Sequence, residues 1–370
     1  MAILDDTPPA IPDAGDSAVN GRGRRRGVSR RAVVIGVIVV ALAVVILATA
    51  RTGAEGDATR VNPHPHGAVV VDGVPRTEAP FLGVDQWPLV FSLGFLVFAV
   101  LAMAPFVVRS IRNRKMEHAL IVFLAVAVLA WLDPPANWVT FTIYDPRLLH
   151  FPTTWPWMRL SPSVEPLLVV PGYPFYYFIV AFLAFGGFQR FVLPRLRTGG
   201  WWQRHPRTAL FTTVFLVATV WDVATELFMI RARMYFYSQS WGPVIRWGPT
   251  HMGLPIVWSL FTIVSIAAIS LLFYRDDDGG SLLTTVGRRL PRFGRPAPRS
   301  PRDESSGRQI LAGVIILSVV YVCLLVFFGF FRVTGLAHNT FPGKWPYPEI
   351  KTYDPYGDLR DAGKSGPYYR

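Results

Sequence analysis

Seven runs of about twenty apolar residues divide this chain of 370 residues, and each is nearly free of charge. A helix rising ~1.5 Å per residue needs about twenty residues to cross a ~30 Å hydrocarbon core. A bilayer leaves few choices, because every backbone polar group within it must be satisfied inside the protein. The sequence therefore predicts an all-α fold, a polytopic transmembrane helix bundle of about seven spans. Composition agrees: 51% of residues are hydrophobic and only 16% charged, which excludes an ordinary soluble globule. The net charge of +13 forms no single patch but is spread between the apolar runs, so nucleic acid is not an expected partner. Cys323 is the only cysteine, which rules out an intramolecular disulfide and a thiolate metal site.

The segments follow in order. Residues 1–31 form a basic arm without apolar periodicity, expected to be disordered. The first span, 32–50, follows Ser29-Arg30-Arg31, which faintly resembles a twin-arginine signal, and ends in Ala48-Thr49-Ala50, which resembles a cleavage site. Its 19 residues exceed a usual signal core of about 7–15, so an uncleaved anchor is expected. A polar loop occupies 51–86. His64 and His66 there have no further ligands nearby, and no metal site is expected. A five-span core covers 87–274. Within it the third span begins near Ala119 and meets Pro134 and Pro135, which are expected to end or kink it. A flexible basic loop at 275–309, a last span at 310–331 and a polar tail at 332–370 complete the chain. Alternate connections carry 23 of the 37 Lys and Arg residues. The positive-inside rule places those in the cytoplasm, giving a cytoplasmic N-terminus and an extracytoplasmic C-terminus in a multi-pass plasma-membrane protein.

Two carboxylates interrupt the fifth span, which runs apolar from Ala209 to Val220 and then reads Trp221-Asp222-Val-Ala-Thr-Glu226. A spacing of four puts both acids on one helix face. Asp222 falls roughly 21 Å into the span, and ionisable groups at such depth normally face the bundle interior for a functional reason. Asp133, on a span running the same way, falls at a similar height, with Asn137 one turn beyond it if the helix survives the prolines. Glu165 caps the outer end of the fourth span and Tyr173, Tyr176 and Tyr177 descend from it. Arg233 and His251 lie just above Glu226. An outward-facing pocket is expected, with Asp133, Asp222 and Glu226 catalytic and Tyr173, Tyr176, Asn137, Glu165, Trp221, Arg233 and His251 around the substrate. The plain alternative is a buried ion pair of Asp222 or Glu226 with Arg231 or Arg233, serving helix packing. Such acids can also relay protons or bind a hard metal.

At Trp131-Leu-Asp133-Pro-Pro-Ala-Asn137, the aromatic loop through Glu165, Gly172-Tyr173 and the Asp222/Glu226 helix, roughly over 84–275, the chain resembles the AveC-like spirocyclase family. These are actinobacterial membrane proteins of secondary metabolism, named for the enzyme that forms the spiroketal of avermectin. The resemblance implies acid-catalysed cyclisation and dehydration of a lipophilic, polyketide-like or lipid substrate, with no cofactor. That chemistry needs an acid for the departing hydroxyl, assigned to Asp222 or Glu226, and a carboxylate with aromatic faces to steady an oxocarbenium ion, assigned to Asp133. A proton-coupled transporter using the same acids, or a non-catalytic cell-envelope scaffold, are the other readings. No internal repeat of the kind common in transporters is visible.

Overall fold

The computed structural model describes residues 81–84, 86–144 and 148–333, except 153–154, 162–163, 168, 233, 238–241, 246–252, 277–278 and 292–303. Outside that range it describes only scattered residues between 37 and 50 and four two-residue strands. The basic arm, more than half of the expected first span and nearly all of the tail therefore lie outside the described residues. Among those described, six helical stretches are long and apolar enough to cross a bilayer. The protein is an all-α polytopic membrane bundle.

Its helices are α1 (Trp87–Arg112), α2 (His118–Ala127), α3 (Asp133–Thr140), α4 (Val169–Gly187), α5 (Pro206–Arg231), α6 (Ile256–Phe273), α7 (Leu282–Arg289) and α8 (Ser306–Val333). α6 is the centre. It packs on α5 and α4 most extensively and also touches α2 and α8. Two-thirds of its apolar window (67%) is buried by protein, against 11% for α1. A helix that is apolar all round belongs inside a bundle, and α6 meets that condition by sending its serines back onto its own carbonyls: the Ser265 hydroxyl donates to Phe261 O at 2.7 Å and Ser270 to Ala267 O at 2.7 Å. α1 is peripheral and turns Leu93, Val97 and Leu101 outward, towards where lipid chains belong.

The third span survives its prolines. α2 narrows into a 3-10 segment, Val128–Leu132, and the helix starts afresh as α3 with the proline pair in its first turn. Proline is tolerated there because first-turn amides have no intrahelical acceptor. α3 ends at Phe141, whose backbone is left-handed (φ 58°, ψ 31°). The chain then turns into a strand, β1 (Thr142–Tyr144), paired antiparallel with β2 (Tyr235–Tyr237). A second small pair joins Val244–Ile245 to Leu254–Pro255.

The basic stretch 275–309, expected to be a flexible loop, contains the ordered helix α7. A reciprocal capping box starts it: Ser281 Oγ accepts from the Thr284 amide at 3.2 Å, and Thr284 Oγ1 accepts from the Ser281 amide at 2.8 Å, satisfying two orphan donors. At its other end the Arg308 guanidinium donates to Gly287 O at 2.6 Å and Leu290 O at 2.5 Å. Leu283 is fully buried against the bundle.

α8 crosses α2 closely at Gly313. A Cβ added there would sit 2.6 Å from Ala125 Cβ and 3.2 Å from Leu283 Cδ2, so the two helices can be this close only because position 313 carries no side chain. Gly313→Ala is expected to destabilise the purified protein by about 1–3 kcal/mol, read as a lowered thermal midpoint in detergent. Adding Ala125→Gly should recover most of that loss; no recovery would show that the crossing is not limited by this contact.

Candidate functional site

One end of the bundle holds a cavity walled by α3, α4, α5, α6 and the β1–β2 pair. Its free volume is about 50 Å³. As it stands it has room for a few waters. Asp133, Asn137, Tyr173, Tyr176, Asp222 and Glu226 all line it. Asp222 (0% exposed) and Glu226 (5%) share the buried face of α5. Trp221, expected beside the substrate, does not reach the cavity: it is half exposed (50%). One residue is a ~100° turn of the helix, so the geometry that carries Asp222 inward carries Trp221 out. Glu165 lies behind the wall, fully buried against Asn137. Arg233 and His251 fall outside the described residues.

The acids form two pairs. In the first, the carboxyl of Asp133 lies against that of Glu165, and the Asn137 amide spans them, donating to Asp133 Oδ2 at 2.8 Å and to Glu165 Oε2 at 3.2 Å. The one-turn spacing of Asp133 and Asn137 on α3 makes this possible. Glu165 is fixed by its own backbone, its carbonyl accepting from the Phe151 amide at 2.9 Å. Burial pushes the Glu165 carboxyl well above the ordinary carboxylate range, and the neighbouring Asp133 charge pushes it the same way. Two carboxyls this close cannot both ionise cheaply, so this pair holds a proton where an isolated glutamate has lost its own.

The second pair, Asp222 and Glu226, is met by hydroxyls. Tyr237 donates to Glu226 Oε2 at 2.9 Å. Tyr176 donates to Asp222 Oδ1 at 3.4 Å and shares a 2.7 Å hydrogen bond with Thr225. Asp222 Oδ2 is buried without a hydrogen-bond partner, as is the hydroxyl of Ser259 on α6. Among the described residues neither acid is in an ion pair, and the Arg231 guanidinium lies over the Phe81 ring at 5.4 Å. The ion-pair alternative thus finds no cation in the described part of the site.

Between the pairs stands Tyr173, close enough to feel Asp133, Glu165 and Glu226 together. It accepts a 2.7 Å hydrogen bond from Tyr144 and stacks on Tyr177, with centroids 6.0 Å apart and 25° between planes. The residues that sequence reasoning missed come mostly from the β1–β2 strip. Thr142 pairs with Tyr237 and Tyr144 with Tyr235, and alternate strand residues share a face. The strip therefore presents Thr142, Tyr144, Tyr235 and Tyr237 to the cavity together. Their one signal was the alternation Thr142-Ile-Tyr144 and Tyr235-Phe-Tyr237, three residues each. Trp258 of α6, also missed, lies in an otherwise uniform apolar run. Burial raises the Tyr144, Tyr235 and Tyr237 hydroxyls well above the ordinary tyrosine range, helped for Tyr235 and Tyr237 by Glu226 and for Tyr144 by Tyr173. All three stay neutral donors. No group of three or more metal-ligating side chains suited to a metal ion occurs among the described residues.

A buried acid with a raised folded-state pKa stabilises the fold below its unfolded value and loses that contribution as pH rises towards the folded value. Thermal stability should accordingly fall from about pH 4.5, the ordinary value for this carboxyl, upward. Glu165→Gln should flatten that fall in a detergent melting series. An unchanged slope in a folded Glu165→Gln protein would show that Glu165 is already ionised.

Comparison with known proteins places this geometry. The family model described as "Spirocyclase AveC-like" matches residues 112–353, starting later and running further than the stretch 84–275 on which the resemblance was seen. The match takes in both acid pairs, the β1–β2 strip, α7 and α8. No curated protein and no solved structure matches the chain. With roughly two-thirds of its length inside the match, the chain belongs to the AveC-like spirocyclase family.

Proposed function

We propose that this membrane protein is a cyclase that closes a lipophilic dihydroxyketone, polyketide-like or lipid, with loss of water. The observation that carries the reading is the set of four carboxyls, three buried and Asp133 partly so, free of any ion pair among the described residues and grouped with tyrosine rings and hydroxyls. Structural acids in a bundle are normally neutralised by a cation; these are kept company by hydroxyls and an amide.

The chemistry fits that set. A substrate hydroxyl adds to the ketone to give a hemiketal. A carboxylic acid then protonates the hemiketal hydroxyl, which leaves as water and generates an oxocarbenium ion. A second hydroxyl attacks that carbon, and its proton returns to a carboxylate, so one water is lost overall. The Asp133–Glu165 pair stores a proton and its cavity-facing member, Asp133, delivers it. Asp222 and Glu226, which accept hydrogen bonds from Tyr176 and Tyr237, steady the cation together with the faces of Tyr173 and Tyr177. This exchanges the two roles expected from sequence, on the ground that the carboxyls of Asp133 and Glu165 lie against each other under one Asn137 amide. A substrate of this class needs more room than a few waters, so the cavity has to widen to admit it. The grouping of all four acids at one end of the bundle favours a reaction chamber over a relay that crosses it. In this reading, which follows the positive-inside count, that end faces the extracytoplasmic side of the plasma membrane.

The test compares wild type with Asp222→Asn/Glu226→Gln and with Asp133→Asn, after confirming detergent-stable folding of each. Lipid extracts of expressing cells are expected to accumulate an uncyclised compound one water heavier than the product. Conversion should fall by at least ~10²-fold, as for loss of a positioned acid or base. Folded variants with an unchanged metabolite profile would sink the reading.

A further inference from the structure

The end of the bundle opposite the acids carries a second cavity of about 310 Å³, lined by charged groups of both signs, among them Lys115, Glu117, Arg275 and Glu304. Charge of a single sign gathers at the same end on the turn that joins α4 to α5, about 24 Å from Asp222 by the rise of α5 from Pro206.

The cause is in the sequence. No acidic residue occurs between Glu165 and Asp222, and the basic ones are five arginines, Arg190, Arg195, Arg197, Arg204 and Arg207, with no lysine. Arg207 is matched by Asp276 at 2.7 Å. The other four are exposed and in no ion pair among the described residues. Two of them are brought together by the way α4 ends. It widens into a π-helix, Phe188–Val192, in which Phe188 is buried and Phe191 is 56% exposed. Arg190 Cζ lies 5.4 Å from the centroid of the Phe191 ring, and Arg195 Nη1 donates to the Phe191 carbonyl at 2.6 Å. Two guanidiniums are thus anchored on one residue whose apolar ring is itself exposed. Trp201 and Trp202 follow, half exposed, with their rings edge to face at 4.8 Å.

A bare phenyl ring beside two guanidiniums and two indoles suits neither bulk water nor hydrocarbon. It suits the boundary between them, where acyl chains meet headgroups. Guanidinium groups match phosphate oxygens in charge and in fork geometry. A zwitterionic headgroup brings its own cation next to its phosphate, which the surrounding arginines oppose; an anionic headgroup does not. We propose that the α4–α5 turn binds an anionic phospholipid, its phosphate against Arg190 and Arg195 and the start of its acyl chains on Phe191. The site is separate from the acid cavity and does not depend on the reaction assigned there.

The test uses the purified full-length protein, delipidated in detergent, titrated with phosphatidylglycerol or with phosphatidylcholine of the same acyl chains, and followed by native mass spectrometry. Phosphatidylglycerol is expected to bind at least ~10-fold more tightly. Arg190→Gln/Arg195→Gln should remove most of that preference. Arg112→Gln/Arg114→Gln, which takes the same charge from exposed positions at the end of α1, should keep it. If the first double variant does not fold, Arg190→Gln alone, which spares the Arg195 bond to the backbone, should still cut the preference about five-fold, the effect of one charge near an anionic headgroup. Equal affinity of the wild type for the two lipids, or equal loss of preference in the two double variants, would overturn the proposal.

Discussion

Four carboxyl groups share one end of a membrane bundle without a cation beside them among the described residues, and the rest of the architecture answers that constraint. Desolvating a carboxylate costs several kcal/mol even after relaxation, and hydrogen bonds from neutral groups can offset it only if they are close and correctly aimed. The fold supplies them from four directions. Asn137 comes from one turn along α3, Tyr176 from α4, Tyr237 from the β1–β2 strip, and the Asp133–Glu165 pair meets its own need by holding a proton. The strip is short, three residues a side, yet it turns two outer loops into a wall of aligned side chains. α6, the most buried of the spans, provides the floor with Trp258, Phe261 and Thr262.

Much of this was legible in the sequence, for identifiable reasons. The apolar runs read clearly because the bilayer fixes both their length and their helicity, and the depth of Asp222 and Asp133 followed from the same arithmetic. The inward face of Asp222 and Glu226 followed from their spacing of four. Trp221 was misplaced because it was judged by residue type rather than by its angle from Asp222. The tyrosines of the strip were illegible as a group, since a three-residue alternation carries almost no signal and its meaning depends on pairing across more than ninety residues. Helix α7 was obscured by the prolines and arginines around it, although Ser281 and Thr284 already spelled its cap.

The two cavities differ in kind. The acid site is tight, lined by aromatic rings and without a positive charge on its described wall; the opposite cavity is roomier and lined by charged groups of both signs. The buried length of α6 and the close α2–α8 crossing at Gly313 separate them. Such a division keeps the proton held at one end from exchanging with groups at the other, which suits chemistry that depends on a defined protonation state.

The 3-10 segment Val128–Leu132 has a geometric consequence for the site. A 3-10 helix turns ~120° and rises ~2.0 Å per residue, against ~100° and ~1.5 Å in an α-helix. Over five residues the difference amounts to a phase advance of ~100° and an extension of ~2.5 Å. Asp133 therefore occupies the azimuth that a continuous α-helix would have given to Pro134, and α3 enters the cavity wall about half a turn higher. The short tightened stretch acts as a gear between the membrane-crossing part of the third span and the part that carries chemistry, setting which face of α3 the other acids meet.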